Sequence, residues 1–269
     1  MNVIETIILG IIQALTEFLP VSSSGHLVIF QNILGFKDPE LFLDCSLHLG
    51  TLFAVIIFFR NDIKKMITDL IRIATSTEGS RAKVSKLKDS MLLWVVVGSI
   101  PTGIIGLVFR TELENLFGSV IMVGWMLILT GIILALTRLI PRDANRKRLG
   151  LLIAFAVGIA QGLAIIPGIS RSGSTIACGF LCGLEREQAG RFSFILSIPA
   201  IIGALAIQMD FNALNSVGII PVFAGFITSA IVGFFALKLL MRMVKKGHLF
   251  YFAPYCWAVG LATILFQIL

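Results

Sequence analysis

Long apolar runs dominate the sequence and leave it few folds to adopt. Six of them come close to or exceed the roughly 20 residues that an α-helix needs to cross the hydrocarbon core of a bilayer. Because no water is available there, every backbone N–H and C=O group must be paired inside the segment, which favours helices. With 57% hydrophobic and 14% charged residues, the chain is predicted to be an all-α polytopic integral membrane protein, a single membrane domain over residues 1–269. The six predicted transmembrane helices cover residues 41–59, 91–109, 119–139, 189–208, 218–240 and 249–269.

Two further apolar stretches, residues 2–35 and 149–183, are interrupted near their middle by Pro, Gly and Ser residues. The interruptions read PVSSSG from Pro20 and PGISRSG from Pro167. Each half has about 11 to 18 residues, which suits one arm of a re-entrant helical hairpin better than a full span. The first arm, residues 2–19, is nearly long enough to span, so this is the weakest part of the prediction. We expect two re-entrant hairpins beside the six transmembrane helices.

The basic residues indicate how the chain is oriented. Only Lys37, Arg110 and Arg171 lie outside four basic segments, which hold nineteen of the 22 Lys and Arg residues. Six spans and two hairpins place these segments on one side of the membrane, and the positive-inside rule makes that side cytoplasmic. The net charge of +7 therefore reflects topology and requires no nucleic-acid partner. The segments are residues 60–89, 138–148, 186–191 and 238–246.

The two interrupted stretches are copies of one unit at a spacing of 148 residues. Seven residues recur unchanged at this spacing, and polar identities such as Gln13 with Gln161 are uncommon inside apolar segments. Since the charges make the two hairpins enter from opposite faces, we expect two inverted repeats, about 1–140 and 149–269, as in many transporters. The recurring residues of the first copy are Gly10, Ile11, Gln13, Leu15, Ser22, Ser24 and Gly25.

Both interruptions carry groups that suit an anion. Ser22 and Ser170 are expected to cap the returning arms, which would bring two helix N-termini together near the membrane centre. Arg171 lies deep in an apolar sequence, and its guanidinium offers phosphate two parallel hydrogen bonds. It could also pair with Glu17 across the repeat. The candidate substrate-binding residues are Gln13, Ser22, Ser24, Gly25, Ser170, Ser172, Gly173, Ser174 and Thr175.

Glu17 and His26 are ionisable groups at a depth where such groups are costly and are functional candidates. With Ser23 and Arg171 they form the predicted catalytic set, since a histidine near a hydroxyl and a carboxylate permits nucleophilic or general acid/base chemistry. Asp44 and His48, at i and i+4 in the next span, form a secondary polar face. We expect these two to support the site or to pair with each other.

Two sequence blocks resemble the signature motifs of the undecaprenyl-diphosphate phosphatase family, the bacitracin-resistance type. Residues 15–26 read LTEFLPVSSSGH and residues 167–175 read PGISRSGST. The similarity covers essentially the whole chain. The first family motif often begins with a glutamate where this chain has Gln13, so the resemblance implies that Glu17 acts without a second carboxylate.

The resemblance implies an enzyme of the bacterial cell membrane that removes the terminal phosphate of undecaprenyl diphosphate and recycles the lipid carrier for peptidoglycan and other envelope polymers. It also implies a divalent cation, Mg²⁺ or Ca²⁺, with Glu17 as candidate ligand, and a site that opens to the extracytoplasmic side. Ser23, His26 or a metal-activated water remain alternative attacking groups. A transporter or flippase for the carrier lipid or an anion is the alternative function. The expected partners are the lipid and the bilayer, and a homodimer is left open.

Overall fold

The computed structural model describes residues 2–34, 41–75, 90–116, 118–141, 147–208 and 218–268. Within these ranges the regular structure is helical without a β-strand, and a single isolated bridge joins Lys147 to Leu184. The prediction of an all-α protein is confirmed. Two 3-10 helices, Thr137–Leu139 and Leu249–Phe252, flank longer helices. The α-helices of the described ranges are α1 (Val3–Phe18), α2 (Ser23–Leu34), α3 (Leu41–Phe58), α4 (Arg60–Thr75), α5 (Met91–Val108), α6 (Arg110–Leu116), α7 (Val120–Leu136), α8 (Leu151–Leu163), α9 (Arg171–Leu181), α10 (Arg186–Gln208), α11 (Ile219–Lys246) and α12 (Ala253–Ile268).

The long apolar helices agree with the predicted spans. Among the described residues, five helices are long and apolar enough to cross a bilayer, and the count reaches six when the bent pair α3–α4 is taken as one span. The bend between these two helices is 74°. The protein is therefore a polytopic membrane protein. The five continuous spans are Met91–Val108, Val120–Leu139, Arg186–Ile207, Ile219–Lys246 and Leu249–Ile268.

The two interrupted stretches each fold as helix, turn and helix: α1 with α2, and α8 with α9. The second unit returns to the end of the molecule at which it began, because the chain just before α8 meets the chain just after α9. There the amide of Lys147 donates to the carbonyl oxygen of Gly183 at 2.9 Å. This return is what a re-entrant hairpin requires.

The basic segments meet at one end of the molecule. Arg191 in α10 pairs with Asp62 in α4 at 3.0 Å and with Glu187 at 2.8 Å. Lys245, near the end of α11, pairs with the same Glu187 at 3.0 Å. These contacts join three of the four predicted basic segments. Residues 60–75, predicted only as part of a basic segment, form the helix α4 in the structure.

The first arm of each hairpin packs on a span of the other half. Gly10 in α1 lies against Gly225 in α11, where a Cβ on Gly10 would come within 2.9 Å of the Gly225 carbonyl oxygen. Gly158 in α8, the equivalent residue, lies against Gly98 in α5. This crossed packing is the pattern that two inverted repeats would produce. The repeat boundaries at 1–140 and 149–269 remain a prediction.

A Gly158→Ala substitution is predicted to weaken this packing. Its new methyl group would lie 2.1 Å from the Gly98 carbonyl oxygen, which leaves no room without moving a helix backbone. We expect a loss of about 1–3 kcal/mol of stability, measured by thermal unfolding in detergent. Gly103→Ala in α5 is the matched control, because a Cβ there meets nothing within 4 Å. Equal melting temperatures for the two variants would contradict the close approach.

Candidate active site

The turns of the two hairpins touch inside the protein. A Cβ on Gly25 would lie 3.0 Å from the Cα of Gly168, and a Cβ on Gly173 would lie 3.1 Å from the Cβ of Pro20. Gly25 is equivalent to Gly173 in the repeat, and Pro20 is equivalent to Gly168, so the two contacts are reciprocal. The helices α2 and α9 therefore begin next to each other, as the sequence predicts.

Ser22 and Ser170 cap these two helices in the same way. The amide of Gly25 donates to Ser22 Oγ at 3.2 Å, and the amide of Gly173 donates to Ser170 Oγ at 3.1 Å. Each capping hydroxyl satisfies an N–H group that the first helical turn leaves without a partner. Each also lies 3.4 Å from the hydroxyl of the serine two residues further on, which is Ser24 or Ser172.

Spans α7 and α12 hold the two turns through side chains. In α7, Thr130 donates to the carbonyl oxygen of Gly168 at 3.0 Å and accepts from the amide of Ser170 at 3.0 Å. In α12, the Cys256 thiol donates to the carbonyl oxygen of Pro20 at 3.6 Å. These contacts pair polar backbone groups where the bilayer could not.

Glu17 is at the centre of the polar cluster below the turns. It lies in the last turn of α1, and its side chain is only 7% exposed. Arg171, the first residue of α9, forms an ion pair between its Nη2 and Glu17 Oε1. Ser23 Oγ donates to Glu17 Oε2 at 2.7 Å, and Gln13 Nε2 lies 3.3 Å from the same oxygen. A hydroxyl, a carboxylate and a guanidinium thus meet where the two hairpins join.

His48 is the histidine beside this cluster. Its Nε2 lies 3.7 Å from Glu17 Oε2, and its side chain is 33% exposed. Its Nδ1 lies 2.8 Å from the backbone oxygen of Asp44. Because a carbonyl oxygen can only accept, Nδ1 carries the hydrogen and Nε2 faces the carboxylate. Of the two roles left open for His48, the structure supports contact with the site.

His26 is engaged elsewhere. Its Nδ1 lies 2.8 Å from the backbone oxygen of Ser22, and its Nε2 lies 2.7 Å from the hydroxyl of Tyr255 in α12. The His26 and Tyr255 rings also stack, with centroids 5.7 Å apart. Tyr255 was not predicted from the sequence, because its hydroxyl is one of several polar groups in residues 249–269 and nothing in the sequence distinguishes it from them.

With this geometry in place, comparison with known proteins identifies the family. Residues 6–262 match the family described as "Bacitracin resistance protein BacA". The chain belongs to the BacA family. This confirms the resemblance carried by the two motifs at the hairpin turns.

Several relatives match this BacA family member over almost its whole length. A protein of Desulforapulum autotrophicum named undecaprenyl-diphosphatase is 45% identical over 271 residues, which cover 98% of each chain. Proteins with the same name from Halothermothrix orenii and Methanobrevibacter smithii are 42% and 41% identical, again over 98% of each chain. The chain thus spans nearly the full length of these relatives.

The other predicted substrate-binding residues of this BacA protein lie in the first turns of α9. Ser172, Ser174 and Thr175 are buried. Thr175 Oγ1 lies 2.5 Å from Ser193 Oγ in α10, and Ser174 Oγ is buried without a hydrogen-bond partner among the described residues. These three side chains are packed inside the protein where α9 begins. Their contact with a substrate remains a prediction.

The donor set of the cluster suits a cation held mainly by a substrate. The described residues contain no group of three His, Cys, Asp or Glu side chains that could hold a metal ion. Glu17 supplies the carboxylate, and its two oxygens already contact Arg171 and Ser23. Mg²⁺ is commonly bound by one or two carboxylates together with phosphate oxygens, whereas Ca²⁺ takes six to eight oxygen ligands. Glu17 together with phosphate oxygens fits the first arrangement, and the choice between Mg²⁺ and Ca²⁺ remains a prediction.

The buried Glu17–Arg171 pair predicts that removing the arginine alone costs more stability than removing both charges. Arg171→Met would leave a buried carboxylate without its guanidinium, which typically costs about 3–5 kcal/mol. The double variant Glu17→Gln/Arg171→Met should recover most of that stability. The comparison uses thermal unfolding in detergent of the wild type, the two single variants Glu17→Gln and Arg171→Met, and the double variant. Arg191→Met, which removes two more exposed ion pairs, serves as control and should cost less than about 2 kcal/mol. Additive losses would contradict the coupling.

Proposed function

We propose that this protein is a membrane phosphatase that hydrolyses undecaprenyl diphosphate to undecaprenyl phosphate and inorganic phosphate. The observation that carries the proposal is the Ser23 hydroxyl, hydrogen-bonded to Glu17 at 2.7 Å beside Arg171. Relatives named undecaprenyl-diphosphatase, which are 40–45% identical over nearly the full chain, support the substrate. The transporter alternative has no comparable support.

The diphosphate would bind where the two helix N-termini meet. The amides at the starts of α2 and α9 point out of their first turns, and the dipoles of both helices favour negative charge there. Arg171 has five N–H donors, of which Glu17 Oε1 takes one through Nη2. The remaining donors could hold the terminal phosphate while the ion pair keeps the guanidinium in position. The lipid tail would stay in the bilayer against the apolar spans.

Ser23 would be the attacking group. Its Oγ would form a bond to the terminal phosphorus as the bond to the bridging oxygen breaks, and undecaprenyl phosphate would leave. The Ser23 proton would pass to Glu17 Oε2, which already accepts its hydrogen bond. Water would then hydrolyse the phosphoserine and release inorganic phosphate. Both ring nitrogens of His26 are already engaged, which argues against His26 as the nucleophile.

Arg171 and the helix N-termini would stabilise the transferred phosphoryl group. Phosphoryl transfer depends mostly on positioning and on neutralising negative charge. If a divalent cation enters with the diphosphate, phosphate oxygens would hold it mainly, with Glu17 as the candidate protein ligand beside it, and it would supply further neutralisation of phosphate charge.

The expected location is the cell membrane, with the site open to the extracytoplasmic side. The contacts among Arg191, Asp62, Glu187 and Lys245 gather basic segments at one end of the molecule, which the positive-inside rule assigns to the cytoplasm. The chain just before α8 lies at the same end, because Lys147 bonds to Gly183, shortly before α10 begins at Arg186. The second hairpin would therefore enter the membrane from the cytoplasm. The product would then re-enter the carrier cycle for peptidoglycan synthesis.

Ser23→Ala and Arg171→Ala are each predicted to lower phosphate release by at least about 100-fold, because one removes the nucleophile and the other the charge that stabilises the transition state. The assay uses purified protein in detergent with a soluble polyprenyl diphosphate, where transport between compartments cannot contribute. Rapid quenching of the wild type should trap phosphoserine at Ser23. Ser99→Ala in α5 and Arg110→Ala are the matched controls. A Ser23→Ala variant with near-normal turnover would exclude serine attack.

A chelator is predicted to lower turnover while leaving the fold unchanged, because the cation would be held largely by the substrate. Added Mg²⁺ should restore phosphate release, and the melting temperature of the substrate-free protein should not move with either addition. Full activity in the presence of excess chelator would show that the reaction needs no divalent cation. A large drop in melting temperature would instead indicate a resident structural metal.

A further inference from the structure

Ser22 adopts a backbone conformation that side chains disfavour. Its φ is +69°, and it is the one non-glycine residue with positive φ in the part of the chain that the structure describes. Such a conformation persists only when the surroundings hold it, and it is often found at functional sites. Ser22 directly precedes Ser23, so the path of this turn determines where the Ser23 hydroxyl lies relative to Glu17.

His26 holds the carbonyl group of this strained residue. The backbone oxygen of Ser22 accepts from the His26 amide at 3.2 Å and from the His26 ring at Nδ1 at 2.8 Å. Because the carbonyl oxygen cannot donate, the ring must carry its hydrogen on Nδ1 to make this bond. The neutral ring then has a bare nitrogen at Nε2.

Tyr255 supplies the partner that this tautomer requires. Its hydroxyl lies 2.7 Å from His26 Nε2, and the bare nitrogen can only accept, so the tyrosine donates. The His26 side chain is buried, so few other donors can reach Nε2. Without the hydroxyl, Nε2 is a buried acceptor without this partner, so the preference for the tautomer that donates from Nδ1 to Ser22 is weakened.

We propose that Tyr255 is a positioning residue of the phosphatase reaction. Acting through His26, it fixes the Nδ1–H tautomer, holds the Ser22 turn, and so orients the Ser23 hydroxyl towards Glu17. This proposal rests on the proposed function and deepens it. It assigns His26 a role in holding the backbone, and it brings the last helix, α12, into the catalytic geometry.

Two substitutions at His26 separate this role from proton transfer. An asparagine amide nitrogen lies close to where Nδ1 lies in histidine, so His26→Asn can still donate to the Ser22 oxygen. A glutamine amide reaches further, towards the place of Nε2, so His26→Gln loses that bond. We expect His26→Asn to keep kcat within about 10-fold of the wild type, and His26→Gln to lose about 100-fold, since misplacing reacting groups by about 1 Å can cost that much. Equal inactivation of both variants would overturn the proposal.

Tyr255→Phe keeps the stacked ring and removes only the hydroxyl. We expect kcat to fall about 10- to 100-fold with KM unchanged within about 2-fold, because the turn is displaced while phosphate binding persists. In the His26→Asn background the same change should cost nothing further. Tyr251→Phe, at the only other tyrosine of the chain, is the matched control. A Tyr255→Phe variant with wild-type kcat would overturn the proposal.

A measurement without substrate keeps the proposal separate from the proposed function. Nitrogen-15 NMR of histidine-labelled protein should show the Nδ1–H tautomer at His26 in the wild type, and a shift towards the Nε2–H tautomer in Tyr255→Phe. The opposite tautomer in the wild type would overturn the bracing role. Absence of phosphate release by a wild type with the expected tautomer would instead overturn the phosphatase assignment.

Discussion

The polar backbone groups at the two hairpin turns need hydrogen-bond partners inside the protein. The rest of the structure is built around the contacts that supply these partners. Lipid offers no hydrogen bonds, so a broken helix at membrane depth is stable only where protein surrounds it. The capping serines, Thr130 and Cys256 pair groups of the turns, and the close contact of Gly25 with Gly168 packs one turn on the other. The same arrangement places two helix N-termini together. The proposed anion site would therefore arise from the same contacts that pair the backbone of the turns.

The residues of the proposed chemistry lie at positions where the two repeats differ. The caps are alike, but Ser23 corresponds to Arg171 at the 148-residue spacing, and Glu17 corresponds to Ile165. A strictly symmetric pair of turns would offer two hydroxyls or two guanidinium groups. The difference instead puts one hydroxyl and one cation on either side of a single carboxylate. Glu17 neutralises the arginine and orients the serine, which an identical copy of either hairpin could not do.

Much of this was predictable because it is local or repeated. Apolar run length predicted the spans, the interruptions predicted the hairpins, and the Ser caps followed from helix breakers. The pairing of Arg171 with Glu17 was foreseen as an alternative because few opposite charges lie at that depth. The partners of His26 and His48 were not predictable. Tyr255 is 229 residues away from His26, and which face of α3 meets Glu17 depends on helix packing that no sequence periodicity records.

The two histidines show why the tertiary partner, and not the residue type, decides a role. In both, Nδ1 bonds to the carbonyl oxygen four residues earlier, at Ser22–His26 and at Asp44–His48, so both rings carry a hydrogen on Nδ1. They differ in what faces Nε2. At His26 a tyrosine hydroxyl donates to the bare nitrogen, so both ring nitrogens have partners within the protein. At His48 the neighbour is a carboxylate, which attracts Nε2 only when that nitrogen carries a proton. Of these two rings, His48 is therefore the one that faces the site, and its residue type alone could not have shown which of the two does so.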